Sequence, residues 1–362
     1  MTKTKWSLGI VGLRRGRSFV RVFDAHPRVE VAALCDVDEE RLAETGEAFE
    51  LPEDRLYTDF DSFLDAPIDI VMIATPIGFH AEQTIKSVES GKHVLCEQTA
   101  AYTIEDCQRI VDAVKRTGIA YMMAENYTYY HYIREWQKLI EQGKLGEIFY
   151  AEGEYVHEIV DLLFDEETGT YFWRHERPPI WYCAHCLGPL LTLMDDRIVK
   201  ACGSHSGFHR MPEQKEHLGF LDMEVGLFRT QKGALIKILR SQVAPRHPTL
   251  VWYCLYGTRG QIENGRAGGD GLLYIEGEMS QKEGGRPITC STIDPAAPEE
   301  ARAGGHGTSE YYMIRDFLDA LDNNTRPPID VMRSMDFTVP GIVAHESAMS
   351  DGNWRDVPLF DW

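Results

Sequence analysis

The chain has 362 residues, 43% of them hydrophobic, which is enough for two domains or for one large domain with a substantial core. It carries 37 basic and 57 acidic residues, a formal net charge of −20. This balance argues against nucleic acid or an anionic membrane as a broad partner. An anionic small substrate would need a local cluster of basic side chains.

Eight cysteines are scattered along this long chain instead of being concentrated in a short one. That pattern is typical of reduced thiols in a cytosolic protein. No signal-peptide pattern precedes the first predicted strand at Leu8, and no apolar run is long enough to span a bilayer. We therefore expect a cytoplasmic protein.

Apolar strands and amphipathic helices alternate through the first third of the chain. Strands are predicted over residues 8–11, 29–35, 68–74, 93–96 and 119–123, and helices over residues 17–25, 38–50, 81–89 and 104–118. This alternation predicts an α/β fold with a parallel, doubly wound sheet. In such a sheet, ligands bind at the carboxyl ends of the strands.

The turn after the first strand is the candidate dinucleotide site. Gly12 and Gly16 would leave helix amides free for a pyrophosphate, although Arg14 stands where the second glycine of a regular motif belongs. Arg14, Arg15 and Arg17 could themselves hold a phosphate. Asp36 lies at about the 20-residue spacing of a carboxylate that binds the adenosine ribose, and it favours NAD over NADP because it would repel a 2′-phosphate.

Polar side chains follow the later strands of the predicted sheet, where a cofactor and a substrate would meet. The expected cofactor contacts at these strand ends are Thr75, Pro76, His80, Glu97, Gln98 and Asn126. His80 could equally hold the backbone of its own turn.

The second half begins with a predicted helix over residues 132–140 and a strand over residues 148–156. A helix beginning near Tyr182, strands over residues 222–229, 234–242 and 250–256, a long loop over residues 276–307 and a helix over residues 310–321 follow. Tyr155 and His157 share one face of their strand, because side chains alternate. Tyr182 and His185 share one face of their helix, because they are three residues apart.

Cys183, His185 and Cys186, together with His157, are residue types that bind zinc. No paired C-x-x-C motif stands elsewhere in the chain, and a catalytic use of His185 competes with this interpretation. We therefore predict no metal site.

Several motifs resemble the Gfo/Idh/MocA family of NAD(P)-dependent oxidoreductases. They are GIVG with Asp36, the segment DIVMIATPIGFH, GKHVLCE, and the strand that ends at Asn126. The resemblance implies a Rossmann domain, predicted at residues 1–126, and an α+β domain with an open, mostly antiparallel sheet at residues 127–362. The latter would bind substrate and mediate oligomerisation, and the late helices could pack back on the first domain.

The main departure from that family lies at Glu97-Gln98-Thr99. The family motif is Glu-Lys-Pro, whose lysine transfers a proton in many members. A glutamine amide does not titrate and cannot replace it.

The chain resembles most closely the family 109 glycoside hydrolases, which also lack that lysine, and it is similar to NAD-dependent sulfoquinovosidases. The matching motifs are Tyr155 with His157, Trp173-Arg174, Tyr182 with His185 and Gly188-Pro189, Glu125-Asn126, and Gly305-His306-Gly307. Such enzymes oxidise a sugar carbon with NAD, deprotonate C2, eliminate the C1 substituent, add water and return the hydride.

The resemblance implies the following site roles. Tyr182 and His185 would transfer protons at the oxidised carbon, and Tyr155 and His157 would serve C2 or the leaving group. Glu97 would orient the substrate, and further substrate contacts are expected from Trp173, Arg174, Gln98 and Tyr127. Histidine and tyrosine are suitable types for this work.

Two other functions remain open from the sequence. One is a net sugar or cyclitol dehydrogenase, and the other is a catalytically silent protein that binds sugar and nucleotide. The sugar could be anionic, with candidate partners among Arg174, Arg177, Arg240 and Arg246. We expect a homo-oligomer, a dimer or tetramer, because an open sheet needs cover on its exposed face or edge.

Overall fold

The structure is a computed structural model, and it describes residues 5–282 and 284–361. Glu283, which falls in the predicted loop over residues 276–307, and the extreme ends of both predicted domains lie outside the described residues.

Strands and helices alternate along the chain. The strands are β1 Trp6–Val11, β2 Val29–Cys35, β3 Leu56–Tyr57, β4 Ile70–Ile73, β5 His93–Cys96, β6 Tyr121–Met123, β7 Ile148–Val156, β8 Phe164–Asp165, β9 Thr170–Tyr171, β10 Ile198–His205, β11 Glu224–Thr230, β12 Leu235–Ser241, β13 Leu250–Gly257, β14 Gly260–Glu263, β15 Gly271–Ile275, β16 Arg286–Ile288 and β17 Arg355–Asp356. The helices are α1 Leu13–Asp24, α2 Glu39–Ala48, α3 Phe60–Leu64, α4 His80–Glu89, α5 Ile104–Thr117, α6 His131–Glu141, α7 Ala184–Met194, α8 Ser309–Asn323 and α9 Val331–Ala348.

The chain forms two compact units. The described residues of the first unit lie within 5–130, 292–335 and 360–361, and those of the second lie within 131–291 and 336–359. The assignment of a nucleotide-binding domain to residues 1–126 and of a substrate domain to residues 127–362 stays a prediction.

The first unit is built on a parallel sheet in the order β3-β2-β1-β4-β5-β6. All four residues of β4 are buried, as expected for a strand covered on both faces by crossover helices. The prediction of a parallel, doubly wound sheet is confirmed. The predicted cofactor residues follow the carboxyl ends of β1, β2, β4, β5 and β6.

Helix α1 begins at Leu13, so the predicted start at residue 17 is wrong. The carboxylate of Asp36 accepts a hydrogen bond from the Leu13 amide at 2.6 Å and satisfies the first free N–H of the helix. Arg14 and Arg15 therefore lie in the first turn of α1 and not in a preceding loop.

The second unit contains an open sheet whose described strands run in the order β16-β15-β14-β13-β7-β12-β11-β10-β17. Its neighbours are antiparallel except β7 and β12, which are parallel. The predicted open, mostly antiparallel sheet is confirmed. Helix α7 covers one face closely, because a Cβ on Gly153 of β7 would lie 2.9 Å from the Cβ of Cys186.

Two further sequence predictions need correction. The segment over residues 276–307 is not loop throughout, since it contains β16 and a short 3-10 turn at Glu299–Arg302. Helix α7 begins at Ala184, and Tyr182 ends a separate 3-10 turn, Pro179–Tyr182. Pro179 and the preceding Pro178 restrict the backbone at the start of this turn.

Within the described residues, no helix combines the length and the hydropathy that a membrane crossing requires.

Candidate active site

The glycine turn between β1 and α1 has a backbone that other residues do not readily adopt. Gly12 has φ of +87°, and a Cβ there would lie 2.5 Å from the Thr75 amide nitrogen. The turn therefore packs against the end of β4 without any side chain. This bare backbone at a helix N-terminus is suited to the close approach of a pyrophosphate.

Asp36 is anchored at the end of β2. One carboxylate oxygen accepts the Leu13 amide, and the other accepts the Asp38 amide at 2.9 Å and an Arg41 guanidinium N–H at 3.3 Å. These bonds fix the carboxylate beside the glycine turn. Its contact with the adenosine ribose stays a prediction.

Arg15 joins two carboxylates of the first unit. Its Nε donates to Glu97 Oε1 at 2.7 Å, and its Nη2 lies 3.3 Å from Glu310 Oε1. The arginine thereby ties the end of β5 to the start of α8. A role of Arg14 or Arg15 in phosphate binding stays a prediction, and the geometry gives Arg15 this second role.

A histidine–carboxylate pair lies beside this arginine. The Nδ1 of His306 is 2.9 Å from Glu310 Oε1, and the Glu310 side chain is only 2% exposed. Burial by itself would raise the pKa of the Glu310 carboxyl, but the hydrogen bond and charge of His306 and the charge of Arg15 lower it. An ionised Glu310 favours the tautomer in which His306 Nδ1 carries the hydrogen.

The strand ends also bring two glutamates into electrostatic contact. Glu125 follows β6 and is fully buried, and its Oε1 accepts the Tyr127 amide at 3.1 Å. Burial raises the pKa of Glu125 well above its ordinary value, and the nearby Glu97 adds to the rise. Glu97 itself is paired with Arg15, at 2.7 Å.

Gln98 is 2% exposed, and its backbone N–H donates to Glu97 Oε2 at 3.1 Å. Asn126 is 3% exposed, and within the described residues its Nδ2 has no hydrogen-bond partner. A buried amide donor of this kind is suited to a ligand oxygen.

His80 is fully buried between two turns. Its ring nitrogens lie 2.9 Å from the carbonyl oxygens of Thr99 and Thr75. Burial lowers the pKa of His80, so the ring is neutral at physiological pH. The hydroxyl of Thr75 donates to Gln83 Oε1 at 2.6 Å, and Pro76 continues the same turn. Contacts of these residues with the cofactor stay predictions.

In the second unit, four predicted proton-transfer side chains come together. The hydroxyl of Tyr155 and the Nδ1 of His157 are 2.8 Å apart at the end of β7. The ring of His185, in the first turn of α7, meets Tyr155 edge-on at 5.3 Å and Tyr182 at 5.1 Å. The structure thus joins the two sequence-distant pairs into one cluster, which we call the Tyr–His cluster.

Two buried arginines border the Tyr–His cluster. Arg240 lies 4.2 Å from the ring centre of Tyr155, and Arg177 lies 3.9 Å from that of Tyr182. Burial lowers the pKa of His157, and the charges of Arg240 and His185 lower it further. A neutral His157 can accept the Tyr155 proton.

The predicted substrate residues Trp173 and Arg174 lie on the short 3-10 turn Trp173–Glu176, between the two residue pairs of the cluster in the sequence. The Arg174 guanidinium stacks on the Trp173 ring at 4.2 Å, and Arg177 is 5.7 Å from the same ring. Tyr127, also predicted for substrate, is in the first unit with its ring 5.9 Å from that of His306. Substrate contacts by these residues stay predictions.

The sequence did not indicate Arg177 and Arg240 as ring partners, nor Glu310 as the partner of His306. Glu310 lies four residues after His306, and this helical spacing is a sequence signal that could have indicated the pair. The contacts of Arg240 join residues far apart in sequence, so no local pattern marks them. In the described part of the chain, no group of three or more metal-ligating side chains is clustered.

Residues 6–125 match the Gfo/Idh/MocA family model, an oxidoreductase family with an NAD-binding Rossmann fold. A glycosyl hydrolase family 109 protein from Shewanella pealeana is 28% identical to this chain, over 98% of this chain and 85% of its own. A levoglucosan dehydrogenase in complex with NADH and levoglucosan has a TM-score of 0.83 at 21% identity, over 98% of this chain and 100% of its own. An oxidoreductase domain protein from Kribbella flavida has a TM-score of 0.81 at 21% identity, with the same coverage.

These matches confirm the resemblance to the Gfo/Idh/MocA family and to its family 109 relatives, and they confirm NAD as the cofactor. The residues present fit that cofactor, since the Gly12 turn has no room for a side chain and Asn126 offers a buried amide donor. Gly12, Gly16 and Asp36 would hold it.

Proposed function

We propose that this protein is an NAD-dependent glycosidase that acts by transient oxidation of its sugar. The observation that carries the proposal is the Tyr–His cluster, which assembles several proton-transfer groups on the second unit. The strand end of the first unit supports it, because the buried Gln98 offers no titratable group there. Other residues must therefore transfer the protons.

When bound, NAD would accept a hydride from a sugar carbon and return it within the same turnover. Tyr182 and His185 would take the hydroxyl proton from that carbon as it is oxidised. The neighbouring C2 hydrogen is then acidic, and Tyr155 with His157 would remove it and return a proton to the departing group. Addition of water and reversal of these transfers complete the hydrolysis of a glycoside to a sugar and an alcohol.

The relatives support an enzyme that acts on sugars. The Shewanella pealeana relative is named as a family 109 glycosyl hydrolase, and the structural neighbour was solved with levoglucosan. Both descriptions concern carbohydrates, which fits the Tyr–His cluster and the Trp173 ring, both of which contact Arg177.

We also propose that the sugar carries an anionic group such as a sulfonate. Arg174 and Arg177 lie 4.2 Å and 5.7 Å from the centre of the Trp173 ring, whereas Arg240 is buried and bound to backbone carbonyl oxygens. A guanidinium offers a planar pair of donors that fits sulfonate or carboxylate oxygens. An uncharged glycoside that is hydrolysed as fast as a matched sulfonated one would contradict this part.

We further propose a cytoplasmic homo-oligomer. The face of the second sheet opposite α7 carries Tyr150 and Leu235, and it leaves Tyr256 and Leu272 exposed by 41% and 37%. A second copy of the chain would cover this face. Seven of the eight cysteines are buried thiols, as suits a reducing compartment.

The test uses purified protein with NAD and a panel of aryl glycosides, some of them anionic. Aglycon release and NADH absorbance are followed together. We expect aglycon release without accumulation of NADH. NADH that accumulates one-for-one with the substrate consumed would show a net sugar dehydrogenase instead, and binding without either signal would show a silent binding protein.

A further inference from the structure

Two buried charged residues lie side by side beneath the Tyr–His cluster. Glu224 of β11 and Arg240 of β12 are directly paired across the antiparallel ladder, and they are 0% and 1% exposed. They make no salt bridge with each other. Each instead makes a hydrogen bond to a segment that carries one of the tyrosines.

Arg240 contacts both tyrosines of the cluster. Its Nη1 donates to the Tyr155 carbonyl oxygen at 2.7 Å, and its Nε donates to the Pro179 carbonyl oxygen at 3.2 Å. Its guanidinium lies 4.2 Å from the ring centre of Tyr155 and 5.4 Å from that of Tyr182. No described carboxylate is within salt-bridge distance of this buried cation, so its charge is met by these two carbonyl oxygens and by the phenol rings.

Glu224 holds the same turn from the other side. Its Oε2 accepts the Ile180 amide at 2.8 Å, and its Oε1 lies 2.7 Å from His345 Nδ1. Arg240 thus binds the carbonyl group of Pro179, the first residue of the 3-10 turn Pro179–Tyr182. Glu224 binds the amide group of Ile180, the second residue of the same turn. Tyr182 is the last residue of that turn.

We propose that Glu224 and Arg240 are positioning residues of the active site: together they fix the turn that carries Tyr182, and Arg240 stabilises the phenolate of Tyr155. This inference rests on the proposed function. In the step concerned, the Tyr155 hydroxyl proton passes to His157 Nδ1, and the phenolate that remains can remove a proton from the sugar. The C2–H electron pair forms a C1=C2 double bond as the C1–O bond breaks, and His157 gives the proton it took from Tyr155 to the departing oxygen, so no charge is left over.

The electrostatic surroundings of Tyr155 come from several elements. His157 lies on the same strand, Arg240 lies on β12, and Tyr182 and His185 lie on the turn and on α7. Asp161 and His247 act on His157 from flanking loops. Arg240 is the permanent cation that faces the Tyr155 ring, and it is therefore the group whose removal should move the titration.

The first test compares Arg240→Gln with Arg240→Lys. Loss of the cation should shift the rising, low-pH limb of the activity profile upward by about one pH unit or more, with a kcat loss of about 100-fold. The lysine variant should restore the limb but not the full kcat, because an ammonium cannot make the same two backbone bonds while it stacks. Arg229→Gln, on the exposed side of β11, is the matched control.

The second readout does not depend on turnover. Tyrosine labelled with carbon-13 at Cζ is titrated by NMR in the NAD-loaded enzyme, and Tyr155→Phe identifies the Tyr155 signal. Arg240→Gln should move that titration to higher pH, and Arg229→Gln should not. If the signal moves but no glycoside is hydrolysed, the proposed function fails and the role of Arg240 stands. If a folded Arg240→Gln leaves both the signal and the pH limb unchanged, the inference is overturned.

The role of Glu224 is tested by Glu224→Gln against Glu224→Leu. Glutamine keeps an acceptor for the Ile180 amide and should retain activity within a few fold. Leucine removes it and should lower kcat by about 10-fold or more and shift the Tyr182 NMR signal, without moving the pH limb. If the leucine variant does not fold, Glu224→Ala takes its place. A folded variant with full kcat and an unchanged Tyr182 signal would overturn this role.

Discussion

The side chain of Gln98, in the first unit, has no titratable group. It is buried at the end of β5, between Glu97, which is paired with Arg15, and a backbone turn supported by His80. An amide at this position can bind a substrate or cofactor atom but cannot exchange a proton with it. Under the proposed function, that exchange is assigned to the Tyr–His cluster.

Removal of a proton-transfer group from that cluster should abolish turnover without unfolding the protein. We expect Tyr182→Phe and His185→Asn each to lower kcat by about 100- to 10,000-fold, because general acid–base catalysis contributes about that much. The measurement is aglycon release under saturating substrate. Tyr274→Phe, which removes a phenol from β15, is the control and should keep full activity. Retention of activity within tenfold in both cluster variants would contradict the assignment.

Glu125→Gln should stabilise the protein more at high pH than at low pH. Burial raises the pKa of Glu125 well above its ordinary value. In the unfolded chain, glutamate has a pKa of about 4.3. Below that pH, the stability contributed by the folded, protonated Glu125 is fully present. This stability is lost as the pH rises toward the pKa of the folded state. Each pH unit in this window costs up to about 1.4 kcal/mol, and glutamine does not incur this cost.

Denaturant unfolding from about pH 4 to about pH 8 measures this difference. Glu47→Gln replaces an exposed glutamate and should show no such trend. A gain for Glu125→Gln that is the same at both ends of the range would contradict the buried, protonated state.

At the scale of elements, the turn between β1 and α1 makes the sharpest prediction. Gly12→Ala should weaken NAD binding by tenfold or more, since its Cβ would lie 2.5 Å from the Thr75 amide at a φ of +87°. Gly118→Ala is the matched control. It has a φ of +68° but open space around the Cβ, so it should cost only about 1 kcal/mol of stability and leave NAD affinity unchanged. Fluorescence titration with NADH measures the cofactor affinity of both variants.

The parallel sheet was predictable because its strands are continuous apolar runs and its helices carry local start and stop signals. Thr103, for example, accepts a hydrogen bond from the Asp106 amide as an N-cap, and Gly118 ends α5 at a positive φ. The start of α1 was missed because Arg14 and Arg15 conceal the apolar pattern, and its cap is supplied by Asp36 from the next strand. Helix α9 was not predicted, since Pro340 and Gly341 interrupt its pattern.

The candidate site was predictable only as separate motifs. Alternation along β7 put Tyr155 and His157 on one face, and spacing put Tyr182 near His185. That the two pairs meet depends on strand register and on the packing of α7, which no local sequence pattern encodes. The bond from Arg240 to the Tyr155 carbonyl oxygen joins residues 85 positions apart, and the bond from Ile180 to Glu224 joins residues 44 apart.

At the scale of the whole molecule, the second sheet predicts self-association. Tyr256 and Leu272 lie on the face opposite α7, where their exposed rings and methyl groups gain by leaving water. The double variant Tyr256→Asp with Leu272→Asp should therefore reduce the mass seen by light scattering. Phe79→Asp, which charges an exposed ring 58% open to solvent in the first unit, is the control. Wild-type protein that is monomeric at micromolar concentration would contradict the proposal.

The most direct test of the central claim follows solvent deuterium into the product sugar. Purified enzyme with NAD hydrolyses a glycoside in D2O, and the released sugar is analysed by NMR and mass spectrometry. Oxidation followed by elimination removes the C2 hydrogen and replaces it from solvent, so we expect deuterium at C2 in the product, with no accumulation of NADH. Product that retains its original hydrogen at C2 would contradict transient oxidation.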